Sequence, residues 1–269
     1  MKKHLVKIVS IAFSLSLSIA LFGCASSPTG NKVNEIKKAG VITVGTSGDY
    51  PPYEFHGEIN GKDEIIGFDI EIAKQIAKDL GVKLVIKDMK FDALLASLDT
   101  NKVDFVMAGM TPTPERTASV DFSKIYYTAV QNIVIRAKDK DLIKDLGNLN
   151  NKTIAVQKGS IQEGIAKDQL PNSKAIALPM ISDEVLELKN NKVDALIVEA
   201  PVAAAYISKN KDLMVADAKL KGDDSGSAIA IKKGNSVLVD EVNKTLDKLI
   251  AEKQIDKLVS EATDKVITK

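Results

Sequence analysis

Tryptophan is missing from this 269-residue chain, cysteine occurs once, histidine twice, and arginine only twice among 37 basic residues. A lone cysteine, Cys24, leaves no disulfide framework and no cysteine metal site. His4 lies near the N-terminus and only His56 is left beyond it, so a Ser-His-Asp triad or a multi-histidine metal site does not fit. Charge of one sign is also lacking. The formal net charge is +1, and without residues 1–23, which carry Lys2, Lys3 and Lys7 but no acid, it becomes −2. Nucleic acid calls for a basic face, so it is excluded as a partner. Nothing in the remaining pattern asks for a cofactor. Aromatics are few and unevenly spread. Phe13 and Phe22 lie near the start, nine fall between Tyr50 and Tyr127, and Tyr206 stands alone afterwards.

The start of the chain reads as a targeting segment. Met1-Lys2-Lys3-His4 and Lys7 form a charged n-region, Ile8 to Phe22 an apolar h-region, and small residues follow at a cleavage point. The apolar run is short and broken by serine, whereas a transmembrane helix needs ~20 apolar residues. Leu21-Phe22-Gly23-Cys24 resembles the lipobox of bacterial lipoproteins, in which the thiol is acylated and becomes the new N-terminus. The alternative is a buried cysteine beside an uncleaved anchor. Residues 1–23 are therefore expected to be a lipoprotein signal peptide and Cys24 the lipidation site. Residues 24–35 would be a polar, flexible linker to a domain on the outer face of the cytoplasmic membrane.

The remaining chain, about 245 residues, is long enough for one large core or two smaller ones. Val41 to Gly45 reads as a buried strand. Phe68 to Leu80 carries a helical apolar stripe (Ile70, Ile72, Ala73, Ile76, Ala77, Leu80) that Gly81 stops. Val82 to Ile86 is a strand, Phe91 to Leu98 a helix and Val103 to Met107 a strand. This βαβαβ series predicts a mostly parallel sheet covered by helices. The series recurs: Leu98-Asp99-Thr100-Asn101-Lys102-Val103-Asp104 is echoed by Leu188-Lys189-Asn190-Asn191-Lys192-Val193-Asp194, each before an apolar strand. Two related α/β lobes are expected. The extended runs Gln131 to Ile135 and Ser227 to Ile231 could cross between them as a hinge, and a closing helix, Val237 to Leu258, would return to the first lobe.

In a chain that prefers lysine so strongly, a retained arginine points to a place where a planar fork is needed, because guanidinium holds a carboxylate bidentately. Arg116 lies in Gly109-Met110-Thr111-Pro112-Thr113-Pro114-Glu115-Arg116, just past a predicted parallel strand. That edge of an α/β sheet is where ligands bind. The proline-rich loop would hold the Thr111 hydroxyl and amide at fixed positions. A surface ion pair with Glu115 or Asp121 is the competing role for Arg116, and Arg136 is given that kind of role. Tyr50 and Phe91 follow the first and second strands, where two rings could flank a side chain, or else pack in the core. In the second half, Val156 to Glu163 reads as a strand, a turn and a helix start. Glu199 ends the strand that echoes Phe105 to Met107, and suits an ammonium or a helix N-terminus.

Taken together, these segments resemble the polar amino-acid family of solute-binding proteins of ABC importers, with Gly67-Phe68-Asp69-Ile70-Glu71-Ile72-Ala73-Lys74-Gln75-Ile76-Ala77 fitting the family signature. The resemblance covers Gly40 to the C-terminus. It implies an α/β, two-lobe, type II periplasmic-binding-protein-like fold, each lobe a mostly parallel sheet flanked by helices, with a two-strand hinge. Lobe 1 would be residues 36–130 plus 226–269, and lobe 2 residues 131–225. Carried over by motif, Arg116 would clamp the α-carboxylate with the amides of Thr111 and Ile161. The Gly109 carbonyl, Thr111 hydroxyl and Glu199 would hold the α-ammonium. Tyr50 and Phe91 would flank the side chain, Gln157, Ser160 and Gln162 would line lobe 2, and Met110 belongs to the same strand-end loop. Ser47 stands where family members for cationic amino acids often carry an acid, while Asp49 and Glu54 are acids nearby. The implied ligand is a polar L-amino acid, arginine or lysine first, then glutamine or histidine. The implied partner is a membrane permease with a cytoplasmic ATPase, and the receptor would be a monomer. A dehydratase-like enzyme on the same fold is the rival class and would need acid/base residues in the cleft.

Overall fold

The computed structural model describes residues 31–222 and 226–267. The signal segment 1–23, Cys24 and the linker as far as residue 30 lie outside the described residues. In the first part of the chain α1 (Lys32–Ala39), β1 (Val41–Thr46), β2 (Asp49–Tyr50), β3 (Glu54–Ile59) and β4 (Lys62–Ile66) precede α2 (Phe68–Leu80). Then come β5 (Lys83–Asp88), α3 (Leu94–Asp99), β6 (Phe105–Val106), α4 (Pro114–Ser119), β7 (Val120–Phe122) and β8 (Tyr127–Thr128). The middle part holds β9 (Gln131–Arg136), β10 (Thr153–Gln157), α5 (Ile161–Gln169), β11 (Lys174–Leu178), α6 (Ile181–Lys189), β12 (Ala195–Glu199), α7 (Ala200–Lys209) and β13 (Leu213–Val215). The chain then returns through β14 (Gly226–Ser227) and β15 (Ala230–Lys232) to α8 (Ser236–Ala251) and α9 (Gln254–Ile267).

Two five-stranded sheets result, ordered β5-β1-β6-β15-β7 and β11-β10-β12-β9-β13. In each, a parallel trio is followed by one opposing strand, β15 in the first sheet and β9 in the second. The trio follows from the alternation of strand and helix periods, since parallel neighbours need a helical crossover. β12 is buried along its whole length, as a central strand covered on both faces must be. On α2 the predicted stripe faces inward, burying Phe68, Ile70, Ile72, Ala73, Ile76, Ala77 and Leu80. Each large apolar side chain there contributes ~1.5–3 kcal/mol.

The sequence echo has a structural counterpart. Asn101 and Asn191 both take a left-handed backbone, with φ of 56° and 58°. Val103 and Val193 are both buried. The Asp104 carboxylate accepts a hydrogen bond from the Thr43 amide at 2.7 Å, and Asp194 accepts one from the Thr153 amide at 2.8 Å. Each aspartate therefore ties the end of a helix–turn to the first strand of its own parallel trio.

Four elements differ from expectation. The expected flexible linker does not extend to residue 35, because Asn31 caps α1 and Val33 is already buried on that helix. The run 131–135 does not itself cross between sheets: β9 is locked into the second sheet, between β12 and β13. The antiparallel ribbon lies just before it, with Tyr127 opposite Ser227 and Thr128 opposite Gly226. The closing helix is two helices, because Lys253 adopts φ 54° and ends α8 without glycine or proline. The helix at Phe91 begins as a 3-10 turn over Phe91–Ala93 before α3. No helix among the described residues is long and apolar enough to cross a membrane.

Candidate functional site

Both sheets turn the carboxyl ends of their parallel strands toward one narrow cavity, lined by Tyr50, Phe91, Ala108, Gly109, Thr111, Arg116, Gln157, Ser160, Ile161, Gln162 and Glu199. Gln157 ends β10, Glu199 ends β12, and Ala108 to Thr111 follow β6, so the cavity occupies the strand-end position where α/β sheets bind ligands. Ten of the twelve site residues named from sequence meet there. Ser47 and Met110 do not. Ser47 opens on a neighbouring depression with Asp49, His56 and Asp88. Met110 is buried in the apolar core, where its carbonyl accepts from the Ala228 amide at 2.9 Å.

Arg116 is set by local structure. Pro114 opens α4, and the Thr113 hydroxyl caps it by accepting from the Arg116 amide at 3.2 Å. The guanidinium carbon lies 5.4 Å from the centre of the Phe91 ring. Its two terminal nitrogens donate to the Thr111 carbonyl and to the Gly159 carbonyl, each at 2.7 Å. Burial lowers its pKa to about 10, partly offset by Glu115. A guanidinium half stripped of water, with two neutral carbonyls for partners, favours a carboxylate. Nearby, Lys158 pairs with Asp92 at 2.8 Å, a second link between the two sheets. Arg136 has a structural role as expected, but in the interior and not at the surface: it is buried, pairs with Asp139 at 2.6 Å and donates to the Leu188 and Val193 carbonyls.

The opposite wall carries acid. Glu199 is 3% exposed and accepts the phenolic hydrogen of Tyr53, itself fully buried. Burial raises the Glu199 pKa to about 7; the Tyr53 and Gln131 hydrogen bonds lower it and Asp69 raises it further. Asp69, at the start of α2, accepts from the Tyr126 hydroxyl at 2.8 Å and from the Gly109 amide at 3.1 Å. Gly109 is confined to glycine: its φ is 56°, and a Cβ there would stand 3.0 Å from the Tyr50 ring. At the floor, Gln162 donates to the Gln131 side chain at 2.9 Å, while the Gln157 amide nitrogen is buried without a partner among the described residues. Ser160 donates to the Gln157 carbonyl at 2.6 Å instead of capping α5.

The acids considered for a cationic side chain are both placed elsewhere. Glu54 is fully buried beside Asp69 and does not line the cavity. Gly67 makes this possible, because its φ of 135° brings α2 against the Tyr53 carbonyl, 2.0 Å from where a Cβ would be. Asp49 reaches the other sheet's layer: its carboxylate accepts from the Ile181 amide at 2.6 Å, at the N-terminus of α6, and the Tyr206 hydroxyl donates to its carbonyl at 2.8 Å. Burial raises the Asp49 pKa, against the hydrogen bonds from Ile181, Ser47 and Ser182 and the charge of Lys90. Sequence reasoning did not assign roles to Tyr53 and Asp69. Asp69 alone had a usable signal, an acid between Phe68 and Ile70 at a helix start. Among the described residues no group of three acidic, histidine or cysteine side chains could hold a metal ion.

Comparison with known proteins agrees with this geometry. The family model described as bacterial extracellular solute-binding proteins, family 3, matches residues 42–263. The arginine-binding extracellular protein ArtP of Bacillus subtilis (strain 168) is 40% identical over 263 residues, covering 96% of this chain and 96% of that protein. The crystal structure of the amino acid ABC transporter substrate-binding protein AbpA of Streptococcus pneumoniae, bound to L-arginine, is 38% identical. It superposes with a TM-score of 0.85 over 88% of this chain and all of that one. An ancestral arginine-binding protein bound to glutamine is 38% identical with a TM-score of 0.76, over 82% of this chain and 97% of that one. The chain belongs to the bacterial extracellular solute-binding proteins, family 3, and has their two-lobe, type II binding-protein fold with a two-strand hinge.

Proposed function

We propose that this chain is the extracytoplasmic receptor of an amino-acid ABC importer, capturing a polar L-amino acid, arginine first, and handing it to the permease. The observation that carries the reading is that one guanidinium, Arg116, and one carboxyl, Glu199, line the same cavity as the Tyr50 and Phe91 rings. A zwitterion needs both charges. The α-carboxylate would take the Arg116 fork in exchange for a backbone carbonyl, helped by the amides of Thr111 and Ile161. The α-ammonium would lie against Glu199, the Gly109 carbonyl and the Thr111 hydroxyl. The side chain would pass between the two rings toward Gln157, Ser160 and Gln162.

Arginine is preferred because the relatives named above bind it and because a planar cation gains from ring contact. Glutamine or histidine is the alternative, favoured by the uncharged Ser47 and by the amide-lined floor. Lobe 1 is taken as residues 36–130 plus 226–269 and lobe 2 as 131–225. Ligand touching both lobes would shift the population to the closed state about the ribbon of β8 and β14. Cys24 would carry the lipid that keeps the receptor on the outer face of the membrane. A carboxyl that titrates near neutrality, such as Glu199, is also what a dehydratase would need. Calorimetry with the standard amino acids, run beside turnover assays of prephenate and arogenate, separates the classes. Saturable one-to-one binding without turnover supports the receptor.

A further inference from the structure

Three buried carboxyls lie together behind the cavity wall. Glu54 and Asp69 are fully buried and Glu199 nearly so. They come from three places in the chain, the start of β3, the start of α2 and the end of β12. Both oxygens of Glu54 and one of Asp69 have no donor partner among the described residues. Glu54 and Asp69 act on each other through their charges, and two buried carboxyls so placed cannot both ionise. The other oxygen of Asp69 is used by Tyr126 and by the amide of Gly109, whose carbonyl faces the proposed ammonium.

Two cations stand at the margin, Lys90 acting on Asp49 and Arg116 lining the same cavity as Glu199, but the charges acting on the three carboxyls among the described residues are acidic. Asp49 and Asp69 act on Glu54, Asp69 acts on Glu199, and Glu184 from α6 faces Asp49. The remaining titratable neighbours are phenols: Tyr50 and Tyr53 from the β2–β3 turn, Tyr126, and Tyr127 of β8. Buried acids without a cation keep protons, because like charges in a medium of low polarity cannot all ionise. Burial accordingly raises Asp69 and Glu199 to about 7, and lifts Glu54 well above the ordinary carboxylate range.

We propose that capture of the ligand's ammonium expels a proton from the Glu54–Asp69–Glu199 cluster, with Asp69 as a positioning residue that acts through the Gly109 amide. This rests on the amino-acid-receptor reading. The balance is simple: one positive charge enters on the ammonium, one proton leaves to buffer, and the cluster gains one negative charge. Linkage then makes affinity rise with pH, by one logarithmic unit per pH unit for each proton released.

The test is isothermal titration of the wild-type protein with L-arginine at pH 7 in phosphate, HEPES and Tris, whose heats of ionisation differ. The expected slope of apparent enthalpy against ionisation heat corresponds to release of about half to one proton, and affinity should rise between pH 6 and 7.5 to match. In Asp69→Asn the amide oxygen still accepts from Gly109 and Tyr126. Binding should therefore persist, while proton release falls by at least half. A buffer-independent enthalpy in wild type, or undiminished release in Asp69→Asn, overturns the inference and leaves the receptor standing. If no amino acid binds, the receptor reading fails and this inference with it.

Discussion

Tyr53 donates its phenolic hydrogen to Glu199, a residue 146 positions later in the chain, and so joins the two lobes at the wall of the cavity. The bond does two things. It satisfies a hydroxyl that is otherwise sealed from water, and it orients the carboxylate toward the space where an ammonium would lie. Hydrogen bonds to charged groups are worth about 1.5–3 kcal/mol, more than neutral ones, so this bond favours the ionised Glu199.

Tyr53→Phe keeps the ring, its packing on Phe68 at 4.4 Å and the fold. Glu199 loses its donor and becomes harder to ionise. Ligand affinity measured by calorimetry should drop by about tenfold or more, with an unchanged circular dichroism spectrum. Affinity within twofold of wild type would remove Glu199 from the ammonium site.

Arg116→Lys keeps the charge but not the fork. One ammonium cannot make two parallel bonds to a carboxylate. Truncating one partner of a buried charge pair costs ~2–5 kcal/mol, and the lysine variant should lose much of it. Analogues lacking the α-carboxylate should bind wild type as poorly as arginine binds the variant. Near-normal affinity in Arg116→Ala would rule out the clamp.

Stability should fall as pH rises toward neutrality in the ligand-free protein. Asp69 and Glu199 hold protons in the folded chain up to about pH 7, while ordinary carboxyls lose them near pH 4. Between those limits the folded state binds more protons than the unfolded one. Their contribution is therefore complete below about pH 4 and is lost as pH rises through about 7. His56 acts in the same direction: partial burial lowers its pKa, but Asp63 and Asp88 raise it overall. The melting temperature should drop by several degrees from pH 5.5 to 7.5, at ~2–4 °C per kcal/mol for a chain of this size. Glu199→Gln should flatten that drop relative to wild type. An equal slope in the variant would contradict the assignment.

Cys24→Ser should abolish lipid labelling and release the protein from the membrane fraction, while a soluble form starting at Ser26 still binds ligand. Persistent labelling of the serine variant would contradict the anchoring reading.

Much of the fold was legible because its signals are local. The apolar stripe of α2 and its Gly81 stop can be read directly, and the repeated Asn-Lys-Val-Asp marks the same turn in both lobes. Arg116 and Glu199 were legible as scarce or isolated charges at strand ends. What was not legible depends on long-range packing. Nothing in the order Tyr50-Pro51-Pro52-Tyr53 says which ring faces the cavity and which reaches Glu199. Glu54 looks like a cleft acid beside Tyr50, and only the close approach of α2 at Gly67 buries it against Asp69. The break at Lys253 has no glycine or proline to announce it, and the apolar face simply continues from Leu249 to Ile255.

The most direct test of the account is a calorimetric titration of the mature protein with L-arginine and with L-glutamine under the same conditions. The account predicts one-to-one binding of arginine at least about tenfold tighter than glutamine, a difference of about 1.4 kcal/mol, shrinking in Tyr50→Ala and Phe91→Ala. Glutamine binding as tightly as arginine would contradict the cationic ligand, and no binding by any amino acid would contradict the receptor itself.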